Sequence, residues 1–452
     1  MKRLSKIDAT SGPLGKSMIR FALPVFLSSL TQMLMNAADI AVLVNMAGGV
    51  AVASVAATGV IVGLIVSASA GISEGTRVLL ARAVGAKDCD RCRTIISTSI
   101  IFAAAIGIIL SAIGYAVSSP FLRLLKCPED CFPGAVRYLS IYFMSAPLTL
   151  VYNFGAAIVS TSGNTKKPML YMLVAGVVNI ILNVIFCLTF NDKVAAVAIA
   201  TVVGIGVSAV LVMTDLFKLS DFPMTLRTLR FDFHTCLMVL KYGLPMALNS
   251  AMYSISGLLM QPALNSFGSV AVAGISASNH IITVGSSFLG ATASAQNTFM
   301  GQNFGAKNEA RAMKAMRLAF FTSIIFAAAY GILAVVFANP LTSLIIPGES
   351  ESIAYGVRYI SFIMPVFCME SLKYTFSNGL SVFGKANLHA IASFISVIVF
   401  RSLWIPLVFN RYPVFDIYLL TPVLTWTLGA MLEVFFFTVV YRRYKKGKLI
   451  LL

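Results

Sequence analysis

Four acidic residues stand inside long apolar stretches of the chain: Asp39, Glu74, Glu370 and Glu433. A charge in hydrocarbon costs about 2.5–3.5 kcal/mol on insertion scales, so each of them calls for a partner or a role. Asp39 ends a polar series, Gln32, Asn36 and Asp39, whose i, i+4, i+7 spacing puts all three on one face of a helix. Asn179 and Asn183, at i and i+4, form a second polar face, and Asn153 supplies a third amide. No unpaired cation is near Asp39 in sequence. A carboxyl in this setting can take up a proton or hold a small cation. The alternative is a hydrogen bond that ties packed helices together.

The other acids have basic neighbours. Glu74 and Arg77 are i, i+3 and read as a local ion pair. Glu370 and Lys373 have the same spacing, with Arg401 and Glu433 as further members of one network. That group is either a structural ion pair or a second ion or substrate site. Asn36, Asn249 and His280 are polar residues in apolar helices and are candidates to line a substrate path. Pro24 precedes Asp39 in the same stretch, and the hydrogen bond it removes allows a bend, static or moving. Cys89 and Cys92 lack the second ligand pair that a zinc site requires. Cys127 and Cys131 could join as a disulfide in an oxidising compartment.

These residues must be held by membrane helices. Of 452 residues 58% are apolar and 11% charged, and mean hydropathy is +0.88. A soluble chain of this balance could not cover its surface with polar groups. A spanning helix needs about 20 mostly apolar residues. Twelve such runs are expected: 17–44, 51–80, 94–117, 135–162, 168–188, 194–217, 237–267, 270–299, 315–338, 353–381, 387–408 and 415–440. The net charge of +17 would suggest nucleic acid in a soluble protein, but here 25 of 34 basic residues fall on the side shared by both termini. By the positive-inside bias that side is cytoplasmic, and the expected location is the plasma membrane, with lipid and no nucleic acid as surroundings.

The chain also repeats. Val50-Ala51-Val52-Ala53 returns as Val270-Ala271-Val272-Ala273, and Gly85-Ala86-Lys87 as Gly305-Ala306-Lys307. Leu23-Pro24 returns as Leu244-Pro245, and Val136-Arg137-Tyr138 as Val357-Arg358-Tyr359. Six spans return the chain to its starting side, so the halves share orientation. The expected division is an N-terminal lobe 1–217, a linker 218–236 and a C-terminal lobe 237–452. No loop is long enough for a nucleotide domain and no phosphate-binding loop occurs. The reading is a non-enzyme without cofactor, driven by an ion gradient or passive.

At this point the residues resemble the multidrug and toxic compound extrusion (MATE) family, over essentially the whole chain. The resemblance rests on Leu23-Pro24 with Asp39, on Gly85-Ala86-Lys87-Asp88, on Gly301-Gln302-Asn303-Phe304-Gly305-Ala306 and on Pro422-Val423-Leu424-Thr425-Trp426. Within the family the chain is most similar to the prokaryotic branch named after the DNA-damage-inducible F protein. The resemblance implies an all-α fold of two six-helix lobes in a V, and alternating access. It implies antiport of organic cations or other amphipathic compounds against protons or sodium; the expected working unit is a monomer. Gln32, Asp39, Asn153 and Asn179 fall on that branch's coupling positions, and Pro24 on its helix-bending proline. One departure matters: the family usually has Asp-Pro where this chain has Asn183-Val184. Half of the usual carboxylate pair is missing, so Asp39 would carry the N-lobe chemistry alone.

Two other functions remain at this level. A lipid-linked oligosaccharide or precursor flippase should have a strongly cationic cavity for pyrophosphate. The N-lobe stripe has one acid and no base, and only Lys373 and Arg401 favour that reading. A passive channel or sensor would need no titratable group.

Overall fold

A computed structural model describes residues 7–124, 127–218 and 229–447. Among the described residues there are helices and no strand. They are α1 (Leu14–Met46), α2 (Gly49–Gly85), α3 (Cys89–Leu124), α4 (Phe132–Phe143), α5 (Ala146–Thr161), α6 (Lys166–Thr189), α7 (Lys193–Phe217) and α8 (Phe233–Asn265). There follow α9 (Gly268–Gly305), α10 (Glu309–Val336), α11 (Ala338–Ile345), α12 (Ser350–Ile363), α13 (Phe367–Val382), α14 (Ala386–Ser393), α15 (Phe400–Trp404) and α16 (Phe415–Lys445). Each of the twelve expected spans has its helix or its joined pair. The fourth is α4 with α5, bent by 46°. The tenth joins α12 to α13, and the eleventh runs from α14 to Phe409.

Among the described residues nine stretches are long and apolar enough to cross a membrane, and the bent pair makes ten. The remaining two spans are α8 and α9, of 33 and 38 residues. They are long enough, but Ser, Thr, Asn and Gln interrupt their apolar runs. The chain is an all-α, twelve-helix membrane fold.

The sequence repeat is a repeat of structure. Lys87 and Lys307 both take the left-handed conformation at φ 57°. Each is followed by the cap of the next helix: Asp88 Oδ1 accepts from Arg91 N–H at 3.0 Å, and Asn308 Oδ1 from Arg311 N–H at 3.1 Å. An ion pair Arg137–Asp192 in the first half has its counterpart in Arg358–Asp416, 2.6 Å, in the second. Ser54 donates to the carbonyl of Cys131 at 3.0 Å. At the matching place Gly274 lies so close to Ser352 that an added Cβ would sit 2.1 Å from its carbonyl oxygen.

The chain forms two compact units, Met1–Gly12 with Leu23–Ala247, and Pro13–Ala22 with Leu248–Leu452. The unit boundaries therefore differ from a simple cut at the expected linker, of which residues 219–228 lie outside the described residues. The division falls inside α1 and inside α8, beside Pro24 and Pro245, although α1 continues as helix through Pro24. In the first unit the start of α8 docks on α2 through small residues. A Cβ on Gly75 would lie 2.2 Å from the Val239 carbonyl oxygen, and one on Gly71 2.7 Å from the Ala247 nitrogen. Such backbone-to-backbone crossings are how helices associate where lipid removes the hydrophobic drive. In the second unit the start of α1 packs Phe21 edge-on against Phe299, with ring centroids 5.8 Å apart.

Candidate functional site

The N-lobe site begins with how α6 and α7 meet. Gly204 on α7 has no side chain to hold them apart, and a Cβ there would lie 3.0 Å from the Asn179 Cβ. On the other side, Gly176 of α6 accepts Thr31 and Met35 of α1. Three helices thus close around one carboxylate. Asp39 is 3% exposed, and Asn179 and Asn183 are fully buried. Asn183 Nδ2 donates to Asp39 Oδ1 at 2.6 Å, and the Thr201 hydroxyl donates to Asp39 Oδ2 at 2.9 Å. Asn179 links its neighbours: its Oδ1 accepts from Asn183 Nδ2 and its Nδ2 donates to Thr201, both at 3.3 Å. The stacked rings of Tyr138 and Tyr142, centroids 6.1 Å apart, lie within electrostatic reach of the carboxylate. Among the described residues no Lys or Arg pairs with Asp39; its bonds come from neutral groups.

The site accounts for some of the expected residues and not others. Asp39, Asn179 and Asn183 are brought together. Gln32 is half-buried, Asn36 exposed and Asn153 half-buried, and none of the three bonds to Asp39 among the described residues. Successive residues turn by 100° along a helix, so Asp39 sits at the edge of two faces. One is the expected Gln32–Asn36 stripe. The other, Thr31–Met35–Asp39, is the one that packs on α6. Thr201 was not singled out from sequence. A threonine in an apolar helix normally bonds its own backbone, as Thr201 also does to the Val197 carbonyl at 3.0 Å.

The C-lobe acids divide into two pairs rather than one network. Lys373 Nζ donates to Glu370 Oε2 at 2.6 Å and also to the Tyr253 hydroxyl. The ammonium lies 4.5 Å from the centre of the Tyr253 ring and 5.8 Å from that of Tyr374. Glu433 does not join them. Its Oε1 is 2.5 Å from Nδ1 of His389 on α14, and both side chains are buried. Arg401 does not ion-pair with Glu370, whose carboxylate is taken by Lys373. Its Nη1 donates to Ser256 at 3.0 Å and its Nε to Thr425 at 3.2 Å. The stretches on either side of it, Phe394–Val399 and Ile405–Phe409, are π-helical. Such local widening of the helix frees carbonyls and recurs at functional sites. Asn249 is half-buried with an Oδ1 that has no partner among the described residues, and His280 is exposed.

The remaining sequence features are simple. Glu74 and Arg77 form their local pair at 2.8 Å. Cys92 is fully buried while Cys89 is exposed. The sulfurs of Cys127 and Cys131 are 3.7 Å apart as free thiols.

A family model described as MatE matches residues 24–185 and again 245–406. The chain therefore belongs to the MATE family, and it is a multi-pass membrane transporter rather than an enzyme. The two matches start 221 residues apart, which is the spacing of the internal repeat. Among similar proteins is "Probable multidrug resistance protein YpnP" of Bacillus subtilis, 25% identical over 79% of this chain and 80% of that protein. An "FAD transporter" of Shewanella oneidensis is 23% identical over 74% of this chain and 75% of that one. Among solved structures, a MATE protein in complex with MaL6 superposes with a TM-score of 0.90 at 20% identity, covering 98% of this chain and 99% of that one.

Proposed function

We propose that this transporter exports amphipathic small molecules, organic cations among them, by antiport against protons or sodium, and that Asp39 is the coupling carboxylate. The observation that carries the reading is a carboxylate 3% exposed whose hydrogen bonds, among the described residues, come only from neutral groups. A static buried charge is normally neutralised by a partner; one left open is available to a coupling ion.

The neighbours suit both states of such a cycle. Asn183 gives its amide nitrogen to Asp39, while its Oδ1 has no partner among the described residues. A turn of that amide offers an acceptor to a protonated Asp39, or an oxygen to a bound cation. Thr201 has one hydrogen and two acceptors, Asp39 Oδ2 and the Val197 carbonyl. It can release the carboxylate without leaving a buried donor unsatisfied. With Asn183 in place of a second acid, one carboxylate serves each cycle.

Alternating access between two lobes, 1–217 and 237–452, with both termini in the cytoplasm, completes the proposal. The substrates are small molecules, the membrane is the plasma membrane and the working unit is a monomer. A flippase for pyrophosphate-linked lipids would want a strongly cationic cavity. The Glu370–Lys373 pair counts against it, since it leaves Lys373 neutralised.

The test is efflux of a fluorescent lipophilic cation from proteoliposomes under separately imposed pH and sodium gradients. Acceleration by one gradient supports antiport and names the ion. Flux indifferent to both points to a passive channel.

A further inference from the structure

Arg401 is a cation at the bundle interior that no carboxylate neutralises among the described residues. Glu370 is within its electrostatic reach but is bonded to Lys373, and Glu433 is bonded to His389. Among the described residues its partners are two hydroxyls, and both hydroxyl hydrogens are committed elsewhere. Ser256 donates to the Val397 carbonyl at 3.1 Å, and Thr425 to the Thr421 carbonyl at 2.7 Å. Ser256 and Thr425 therefore act on Arg401 as neutral acceptors that fix its orientation. They use two of the five N–H groups of the guanidinium fork. Among the described residues the remaining three have no protein acceptor, and the side chain is half-buried rather than sealed. Tyr253, Tyr359 and Tyr418 lie within its electrostatic reach.

Its position has a second meaning. The ion pairs Arg137–Asp192 and Arg358–Asp416 are counterparts, and they set the last span of the two units in register. In that register Thr201 corresponds to Thr425. In the first unit this threonine holds the carboxylate of Asp39; in the second it holds the guanidinium of Arg401. The equivalent threonines thus hold groups of opposite charge, which come from non-equivalent helices, α1 in the first unit and α15 in the second.

We propose that Arg401 is an anion-recognition point for the transported molecule, taking a carboxylate in its free fork while the surrounding tyrosines receive the apolar part. The substrates so selected are amphipathic carboxylates and zwitterions. This rests on the export reading and narrows it: a purely cationic compound gains nothing at this point. A planar guanidinium matches a carboxylate bidentately, which an ammonium cannot do.

The chain has two tryptophans, Trp404 and Trp426, and both lie beside this point in sequence, on α15 and next to Thr425. Their fluorescence is a built-in reporter. Purified full-length protein in neutral detergent would be titrated with decanoate, with its neutral amide decanamide and with decyltrimethylammonium. Saturable change with decanoate is expected, about tenfold or more tighter than with decanamide, as for loss of a hydrogen bond to a charged group. Arg401→Gln should abolish the difference and Arg401→Lys should restore part of it, which also covers the case in which Arg401→Gln fails to fold. Equal binding of all three probes, or a carboxylate preference that survives in Arg401→Gln, overturns the proposal. A lipid phosphate is the competing anion. A response to phosphatidylglycerol in place of decanoate, lost in Arg401→Gln, also overturns it. Binding is read without a gradient, so this failure is separate from failure of Asp39 as the coupling residue.

Discussion

The docking of α8 on α2 rests on backbone contact, and that makes Gly75 a sharp place to perturb it. In Gly75→Ala the new Cβ would lie 2.2 Å from the Val239 carbonyl oxygen, 2.7 Å from the Gly243 nitrogen and 3.1 Å from the Gly243 Cα. All three are backbone atoms of α8, so no side chain can turn aside. To reach ordinary contact the helices must separate by about 1 Å, which weakens dispersion along the whole crossing. Overpacking of this kind costs about 1–3 kcal/mol. Alanine in place of glycine returns about 1 kcal/mol in helix propensity. Gly63 lies on the same helix, and a Cβ there would meet nothing within 4 Å. Gly63→Ala should therefore be neutral or slightly stabilising. Thermal unfolding of the purified variants in one detergent separates the two: Gly75→Ala should melt below wild type and Gly63→Ala at or above it. Equal melting of the two variants would refute the backbone crossing.

Three further outcomes are expected. Glu370→Gln leaves Lys373 buried without its carboxylate and should destabilise by about 3–5 kcal/mol, while the double change with Lys373→Met should recover most of the loss, as read by thermal melting. His389→Ala removes the partner of Glu433 Oε1 when Oε2 already has none among the described residues; melting should fall clearly in His389→Ala and less in His389→Ala combined with Glu433→Leu. Burial and the adjacent Cys131 thiol push the Cys127 thiol up to about 11. Its thiolate fraction then rises about tenfold per pH unit below that value, and maleimide labelling of Cys127 should still be climbing at pH 9 rather than levelling off.

How much of this could be read from sequence varies with distance along the chain. Apolar runs and the repeat are local or periodic signals, and the spans follow them. Even α8 and α9 are legible by length, though their polar residues make them less apolar than the other spans. Asp39 announced itself by being an acid among apolar residues. Its partners were legible only where they made a pattern: Asn179 and Asn183 did, but Thr201 on the next helix did not. His389 and Glu433 are 44 residues apart, and only the packing of α14 on α16 joins them. The division of α1 and α8 between the units had no signal beyond the prolines beside it. The π-helical turns around Arg401 had none beyond Pro406. An ion pair at i, i+3, such as Glu370–Lys373, was readable because a helix alone creates it.

Asp39, as the carrier of the coupling ion, is the residue on which the proposed transport cycle turns. The direct measurement is gradient-driven efflux from proteoliposomes by wild type and Asp39→Asn side by side, with melting temperature and passive substrate binding recorded for both. Asp39→Asn should fold and bind substrate, but its efflux should no longer respond to either the pH or the sodium gradient. Efflux by Asp39→Asn that follows the gradient as strongly as wild type would contradict it.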